Sequence, residues 1–266
     1  MRPRIDAFWG VVRRDGIVFI TYRSQVITQV VGMLFNLTIF FFISRLLRSK
    51  LFHTPGEYFA YVVVGLVIMQ VLITTLGLTP TQVRQELVAG TMERFLVSPF
   101  GASNGVVAMM LFPIFSSLIT GGIMLVIATT VFGLPLAGTA PLALPIAVLG
   151  SLAFIPFALA LVAVVIAFKQ ATVGTQFVVS GIAIVGGLYF PAKVLPAWLR
   201  WTSQVQPFAP AADLLRHTLV NQPLIEPAGV DVLKLVAFTA VLFPVSMWLL
   251  RRSIVYGQRR GTIIEY

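Results

Sequence analysis

From Phe95 to Phe168 the chain carries no Asp, Glu, Lys or Arg. An uncharged run of that length cannot coat a water-soluble domain, in which about a quarter of the residues are charged. Residues 26–43, 58–79 and 171–190 are also free of charge. Over all 266 residues the hydrophobic share is 58% and the charged share 11%, so most of the surface must meet lipid. In lipid, backbone N–H and C=O groups have to be satisfied within the structure itself, which leaves helices or a closed barrel. The apolar runs are about 20 residues long and unbroken rather than short and alternating, which selects helices. The fold class that follows is all-α, a polytopic integral membrane protein.

Six transmembrane helices are predicted, at 26–43, 58–79, 105–132, 142–168, 171–190 and 232–250. The long uncharged run is divided at Gly133-Leu134-Pro135-Leu136-Ala137-Gly138, which has turn chemistry. Pro80 is read as the stop of the second span. Pro113, Pro156 and Pro244 fall inside spans and are expected to kink them. Gly181, Gly186 and Gly187 would allow close helix approach in the fifth. Ahead of the first span, Ile5, Phe8, Trp9, Val12, Gly16, Phe19 and Ile20 recur at spacings of three and four. Residues 1–23 therefore read as an N-terminal interfacial helix rather than a removable signal peptide. Residues 191–229 are too polar to span and too apolar for a free loop. Their prolines fit two short helices, near 194–204 and 210–220, forming an extracellular re-entrant hairpin between spans five and six.

Loop charge sets the expected orientation. With six spans, both termini share one side with the loop after the second span and with Lys169. That side holds Arg2, Arg4, Arg13, Arg14, Arg23, Arg84, Arg94, Lys169, Arg251, Arg252, Arg259 and Arg260. The other holds Arg45, Arg48, Lys50, Lys193, Arg200, Arg216 and Lys234. The bias of 12 against 7, which accounts for all 19 basic residues, puts both termini in the cytoplasm of a cell inner or plasma membrane. The net charge of +10 is thus read as membrane orientation, and no nucleic-acid partner is expected.

The ionisable residues exclude several function classes. Within the predicted spans the only charge is Lys234, close enough to its helix end to snorkel. No membrane carboxylate is present for a proton relay or sodium site, against an ion-coupled secondary transporter. An intramembrane enzyme, such as a lipid-modifying transferase, would need acidic or histidine clusters. His53 and His217 lie outside the spans without partners at ligand spacing, so no metal site and no catalytic residue is assigned. The chain has no cysteine, and no glycine-rich phosphate loop ending in Lys-Ser/Thr, so an energy source must lie in another polypeptide. Polar uncharged residues do enter the spans. Gln29, Asn36, Gln70, Thr74, Thr175 and Gln176 are candidates either for a substrate path or for hydrogen-bonded helix contacts.

The polar stretch 84–99 is the most informative. Gly90-Thr91-Met92-Glu93 has the form of a helix start with Thr91 as N-cap, and Ser98-Pro99 would end a short helix. Such a helix between spans two and three is either a simple connection or a lever for a partner domain. The run Glu86-x-x-x-Gly90-Thr91-Met92-Glu93-x-x-Leu96-Val97-Ser98-Pro99 resembles the signature loop of ABC type-2 permeases, a family that includes daunorubicin-type drug exporters and polysaccharide exporters. Residues 191–201 and 206–216 resemble that family's extracellular re-entrant helices. Met92 stands where the family usually has leucine, a volume-conserving exchange.

The resemblance implies a type V exporter fold and a mechanism. Two permeases, a homodimer rather than a heterodimer, would pair in membrane lipid, each binding a cytoplasmic P-loop ATPase. ATP and Mg would be bound by the ATPase, with no cofactor in this chain. Closure of the ATPases would move residues 91–97 and the interfacial helix, and the first, second and fifth spans would open a path for an amphipathic substrate. Glu86, Glu93 and Arg94 would be polar contacts to the ATPase, with Phe95 and Leu96 as apolar knobs. Gly90, Thr91, Ser98 and Pro99 would shape the coupling segment. Drug or natural-product export is favoured over export of a glycan or lipid-linked polymer, because the resemblance is to the drug-type signature; a glycan path would be aromatic-lined, and the spans are rich in Phe but nearly free of Trp and Tyr.

Overall fold

The computed structural model describes residues 13, 16, 23–46, 52–92, 101–168 and 172–259, with backbone alone at 23–26, 172–176, 192 and 204. The expected interfacial helix at 1–23 lies almost wholly outside them. The described residues are helical, with no strand among them. In chain order they form α1 (Arg23–Leu46), α2 (Pro55–Ile73), a π-helical turn (Thr74–Leu78), α3 (Thr79–Val88), α4 (Ala102–Thr130), α5 (Ala143–Phe168), α6 (Thr172–Val185), α7 (Ala197–Gln204), α8 (Phe208–Val220) and α9 (Ala228–Arg259). Five helical stretches are long and apolar enough to cross a membrane: Ile27–Leu46, Pro55–Val88, Ala102–Thr130, Ala140–Phe168 and Ala228–Arg259.

Two boundaries differ from the sequence reading, each for a local reason. The second helix starts earlier, because Thr54 caps it by accepting from the Glu57 N–H at 3.2 Å, with Pro55 in the first turn. The Glu57 carboxylate reaches back to the His53 N–H at 2.9 Å, a close variant of the capping box. The same helix also runs through Pro80 rather than stopping there. Proline has no N–H to give, and its ring crowds the carbonyl one turn back. The wider π turn at Thr74–Leu78, immediately before it, relieves that crowding and lets α2 continue into α3. Pro113, Pro156 and Pro244 likewise sit inside continuous helices.

Of the predicted fifth span, 171–190, the described residues form α6, 14 residues and about 21 Å at 1.5 Å per residue, against about 30 Å of hydrocarbon; residues 169–171, just ahead of it, lie outside the described residues. Gly187, at φ 86, ends it. The Gly187 N–H bonds to the Ile184 carbonyl at 3.2 Å and the Leu188 N–H to the Ala183 carbonyl at 3.0 Å, a left-handed glycine cap. Of the glycines expected to allow close approach, Gly186 does so, since a Cβ there would overlap the Phe208 ring. Gly181 faces open space.

The α2 helix is the centre of the bundle. Val62, Val63, Val64, Leu72 and Leu76 are fully buried, packed by α4, α5 and α8. By contrast α1 and α9 turn most of their surface outward, with Phe35, Phe42, Leu233 and Val241 exposed, as lipid-facing helices do. The α9 helix lies along α5. Connectivity and packing define two ends of the bundle. The end of α3, the start of α4, the end of α5 and the last turns of α9 gather at one, where Leu87, Met92, Val106, Ile166 and Ile254 share a core. The loop after α4 meets α8 at the other, through Ala137 N–H to Leu219 carbonyl at 2.8 Å and Thr139 Oγ1 to Thr218 carbonyl at 2.9 Å. The predicted pair of short helices in 191–229 is realised as α7 and α8. The tryptophans of α7, Trp198 and Trp201, point outward, whereas α8 is buried against α2 and α5.

Candidate coupling segment and a buried arginine latch

On α3, Thr79, Val83 and Leu87 recur every fourth residue and are buried, so this helix is held to the bundle by one face. It ends at Gly90, whose φ of 67 is reached without strain only by glycine. The Gly90 N–H bonds to the Leu87 carbonyl at 3.2 Å, and the Thr91 N–H to the Glu86 carbonyl at 3.0 Å. This is the same glycine cap that ends α6. The Thr91 hydroxyl then donates to both the carbonyl and the carboxylate of Glu86. Met92 follows, 2% exposed and inside the main core. The structure therefore brings Glu86, Gly90 and Thr91 together. Thr91 stands just before a helical residue as expected, but its hydroxyl turns back to α3. Glu93, Arg94, Phe95, Leu96, Ser98 and Pro99 lie outside the described residues.

Of the six candidate path residues, four have described side chains, Gln29, Asn36, Gln70 and Thr74. Gln70 donates to Thr74 Oγ1 at 3.3 Å, and Thr74 donates to the Gln70 carbonyl at 2.7 Å, so this pair is satisfied along its own helix. Gln29 is half-buried and Asn36, two turns on, is exposed on α1; no hydrogen bond joins them to Gln70 or Thr74. The side chains of Thr175 and Gln176 lie outside the described residues. One turn past Gln70, Thr75 is fully buried and its hydroxyl has no partner. Lys234 is paired rather than snorkelling alone, 2.6 Å from the Glu226 carboxylate. Among the described residues no three His, Cys, Asp or Glu side chains cluster as metal ligands do.

The strongest polar feature was missed from sequence. Arg216, assigned there to an outer loop, is 5% exposed inside α8. Its guanidinium lies 3.5 Å above the centre of the Tyr61 ring on α2. It donates to the Gly187 carbonyl at 2.9 Å and, at 3.4 Å, to the carbonyls of Leu188 and Tyr61. The Tyr61 hydroxyl donates to the same Gly187 oxygen at 2.8 Å. Burial lowers the Arg216 pKa from the usual guanidinium range, and the neighbouring Tyr61 and Asp213 push it back up. The charge sits at the C-terminal end of α6, where the carbonyl dipoles favour a cation. Gly65, one turn beyond Tyr61, makes room, since a Cβ there would come within 2.6 Å of the Leu188 carbonyl oxygen. Three helices are thus fastened at one point, α2 by Tyr61, α8 by Arg216 and α6 by its glycine cap. Asp213, one turn from Arg216, accepts from the Ile225 N–H at 2.8 Å and so fixes the segment leading into α9. The signal in the sequence was Asp213-Leu-Leu-Arg216, opposite charges one turn apart in a largely apolar helix.

Among the described residues, five helices of membrane-crossing length packed in one bundle define a multi-pass membrane protein. The model of the ABC-2 type transporter family matches residues 7–220, and the chain belongs to this family. It is a permease subunit, not itself catalytic, of a kind that works with an ATP-binding subunit. No curated protein matches it in sequence.

Proposed function

We propose that the chain is the permease of an exporter that moves an amphipathic drug, natural product or lipid-like molecule out of the cytoplasm or inner leaflet. A separate P-loop ATPase, holding ATP and Mg, drives it, and two permease copies pair in the membrane with both termini in the cytoplasm. Residues 84–99 form the coupling segment, and α7 and α8 form the outer re-entrant hairpin. Gln29, Asn36, Gln70, Thr74, Thr175 and Gln176 remain the candidate path residues.

The observation that supports this reading is the locked turn at 86–91 followed by buried Met92. A force that reaches Met92 meets a hydrogen-bonded turn at 86–91 rather than slack chain. It passes through Met92 and the glycine cap into α3 and, through the π turn, into α2. Single π turns inside α-helices are frequent at functional sites. The test is reconstitution with the ATPase that copurifies in mild detergent. Glu93→Lys reverses one polar contact and is expected to leave basal ATP hydrolysis but abolish its stimulation by transport. Normal transport and stimulation in that variant would refute the coupling assignment.

A further inference from the structure

We propose that the groove between α5 and α9 is a binding site for one anionic phospholipid. Its acyl chain lies in the groove and its phosphate rests on Arg252. The groove has a volume of about 290 Å³ and opens sideways on the lipid-facing surface. Ala163 and Ala167, one helical turn apart on α5, leave its floor low. Phe168, 72% exposed, and Leu249 form apolar walls that no other part of the described chain covers. This is space for a stretch of one hydrocarbon chain.

Arg252 and Tyr256 also line the groove. With Arg259 they recur at i, i+4 and i+7, so they share one face of α9. Arg252 lies 5.2 Å over the Trp248 ring and is exposed. Among the described residues no carboxylate pairs with Arg251, Arg252 or Arg259. The acidic residue of α9, Asp231, is 21 residues back, about 30 Å along the helix. An uncompensated basic end fused to an apolar slot matches a molecule with a phosphate at one end and a hydrocarbon tail at the other. Free phosphate would use only the arginines, and an apolar chain only the slot. Basic residues at a membrane surface favour anionic over zwitterionic headgroups. The site lies on the α3–α4 end of the bundle, away from the Arg216 latch, and does not depend on the substrate or the direction of transport.

The test is native mass spectrometry of the full permease, purified in detergent and offered phosphatidylglycerol, phosphatidylcholine with identical acyl chains, or inorganic phosphate. Phosphatidylglycerol is expected to be retained over phosphatidylcholine. Arg252→Gln with Arg259→Gln should weaken phosphatidylglycerol retention about 30-fold, at about fivefold per arginine, and leave phosphatidylcholine unchanged. Ala167→Leu, which fills the slot without touching charge, should weaken both lipids. All three positions are exposed or half-buried, and thermal unfolding of the variants checks that they fold. Equal retention of the two lipids, or undiminished phosphatidylglycerol retention in the arginine variant, overturns the proposal. So does displacement of the lipid by inorganic phosphate with Ala167→Leu silent. A dimer mass that Ala167→Leu abolishes would make the groove a contact between copies, and also overturns it.

Discussion

Replacing Arg216 by methionine keeps most of the side-chain volume while removing the charge and every N–H donor of the latch. The good bond to the Gly187 carbonyl, at 2.9 Å, is charge-assisted and contributes about 1.5–3 kcal/mol. The desolvated stack on Tyr61, at 3.5 Å, contributes about 2 kcal/mol more. The two bonds at 3.4 Å add little. Against this, the wild-type chain must strip water from a guanidinium, and the methionine variant does not. The Gly187 oxygen is also not orphaned, because the Tyr61 hydroxyl still donates to it at 2.8 Å. The net loss is then about 1–3 kcal/mol, or about 5- to 150-fold in the ratio of closed to open latch. Because the chain has no cysteine, a single Leu188→Cys gives a clean reporter at a fully buried site in the turn. Maleimide modification of that cysteine should accelerate about 5- to 150-fold in Arg216→Met. Tyr61→Phe should accelerate it about fivefold, for the loss of about 1 kcal/mol. The double variant should exceed the product of the two, since only it leaves the shared Gly187 carbonyl without a donor. Labelling of a folded Arg216→Met variant at the wild-type rate would show that the arginine is not what holds α6, α8 and α2 together.

Three further outcomes follow from the same packing. Gly65→Ala places a Cβ 2.6 Å from the Leu188 carbonyl oxygen, a backbone atom that cannot easily retreat, and should cost about 1–3 kcal/mol in thermal unfolding. In the control Gly122→Ala, nothing lies within 4 Å, so no loss is expected. Gly90→Ala forces a side chain into the left-handed region at φ 67, at about 1–2 kcal/mol, and should lower transport-stimulated ATPase activity more than it lowers overall stability. Thr75→Val removes a fully buried hydroxyl that has no partner and should be neutral or stabilising by about 1 kcal/mol in thermal unfolding. A clear loss of stability there would mean that the hydroxyl is bonded after all.

The coupling turn illustrates how far sequence reasoning reaches. Gly90 and Thr91 were legible as a boundary because glycine and threonine serve helix ends for local reasons, and the cap involves only residues 86–91. What the sequence did not give was direction. The pair reads equally well as the start of the next helix, and the structure shows Thr91 bonded back into α3. The candidate path residues were chosen for being polar in apolar runs, a criterion that cannot tell Gln70, satisfied by its own helix, from Thr75, buried without a partner.

By itself the sequence determined that this is a helical membrane protein, where five crossings lie, that Gly133–Gly138 divides the long apolar run, and that 191–220 holds two short helices. These are properties of single segments, because in lipid each segment must satisfy its own backbone and its apolar length decides whether it spans. Tertiary structure alone decided that Arg216 lies within the bundle rather than on its outside. That placement rests on atoms distant in the chain. The Arg216 guanidinium binds carbonyls at residues 61 and 187, and no local pattern around Arg216 encodes where those carbonyls come to rest.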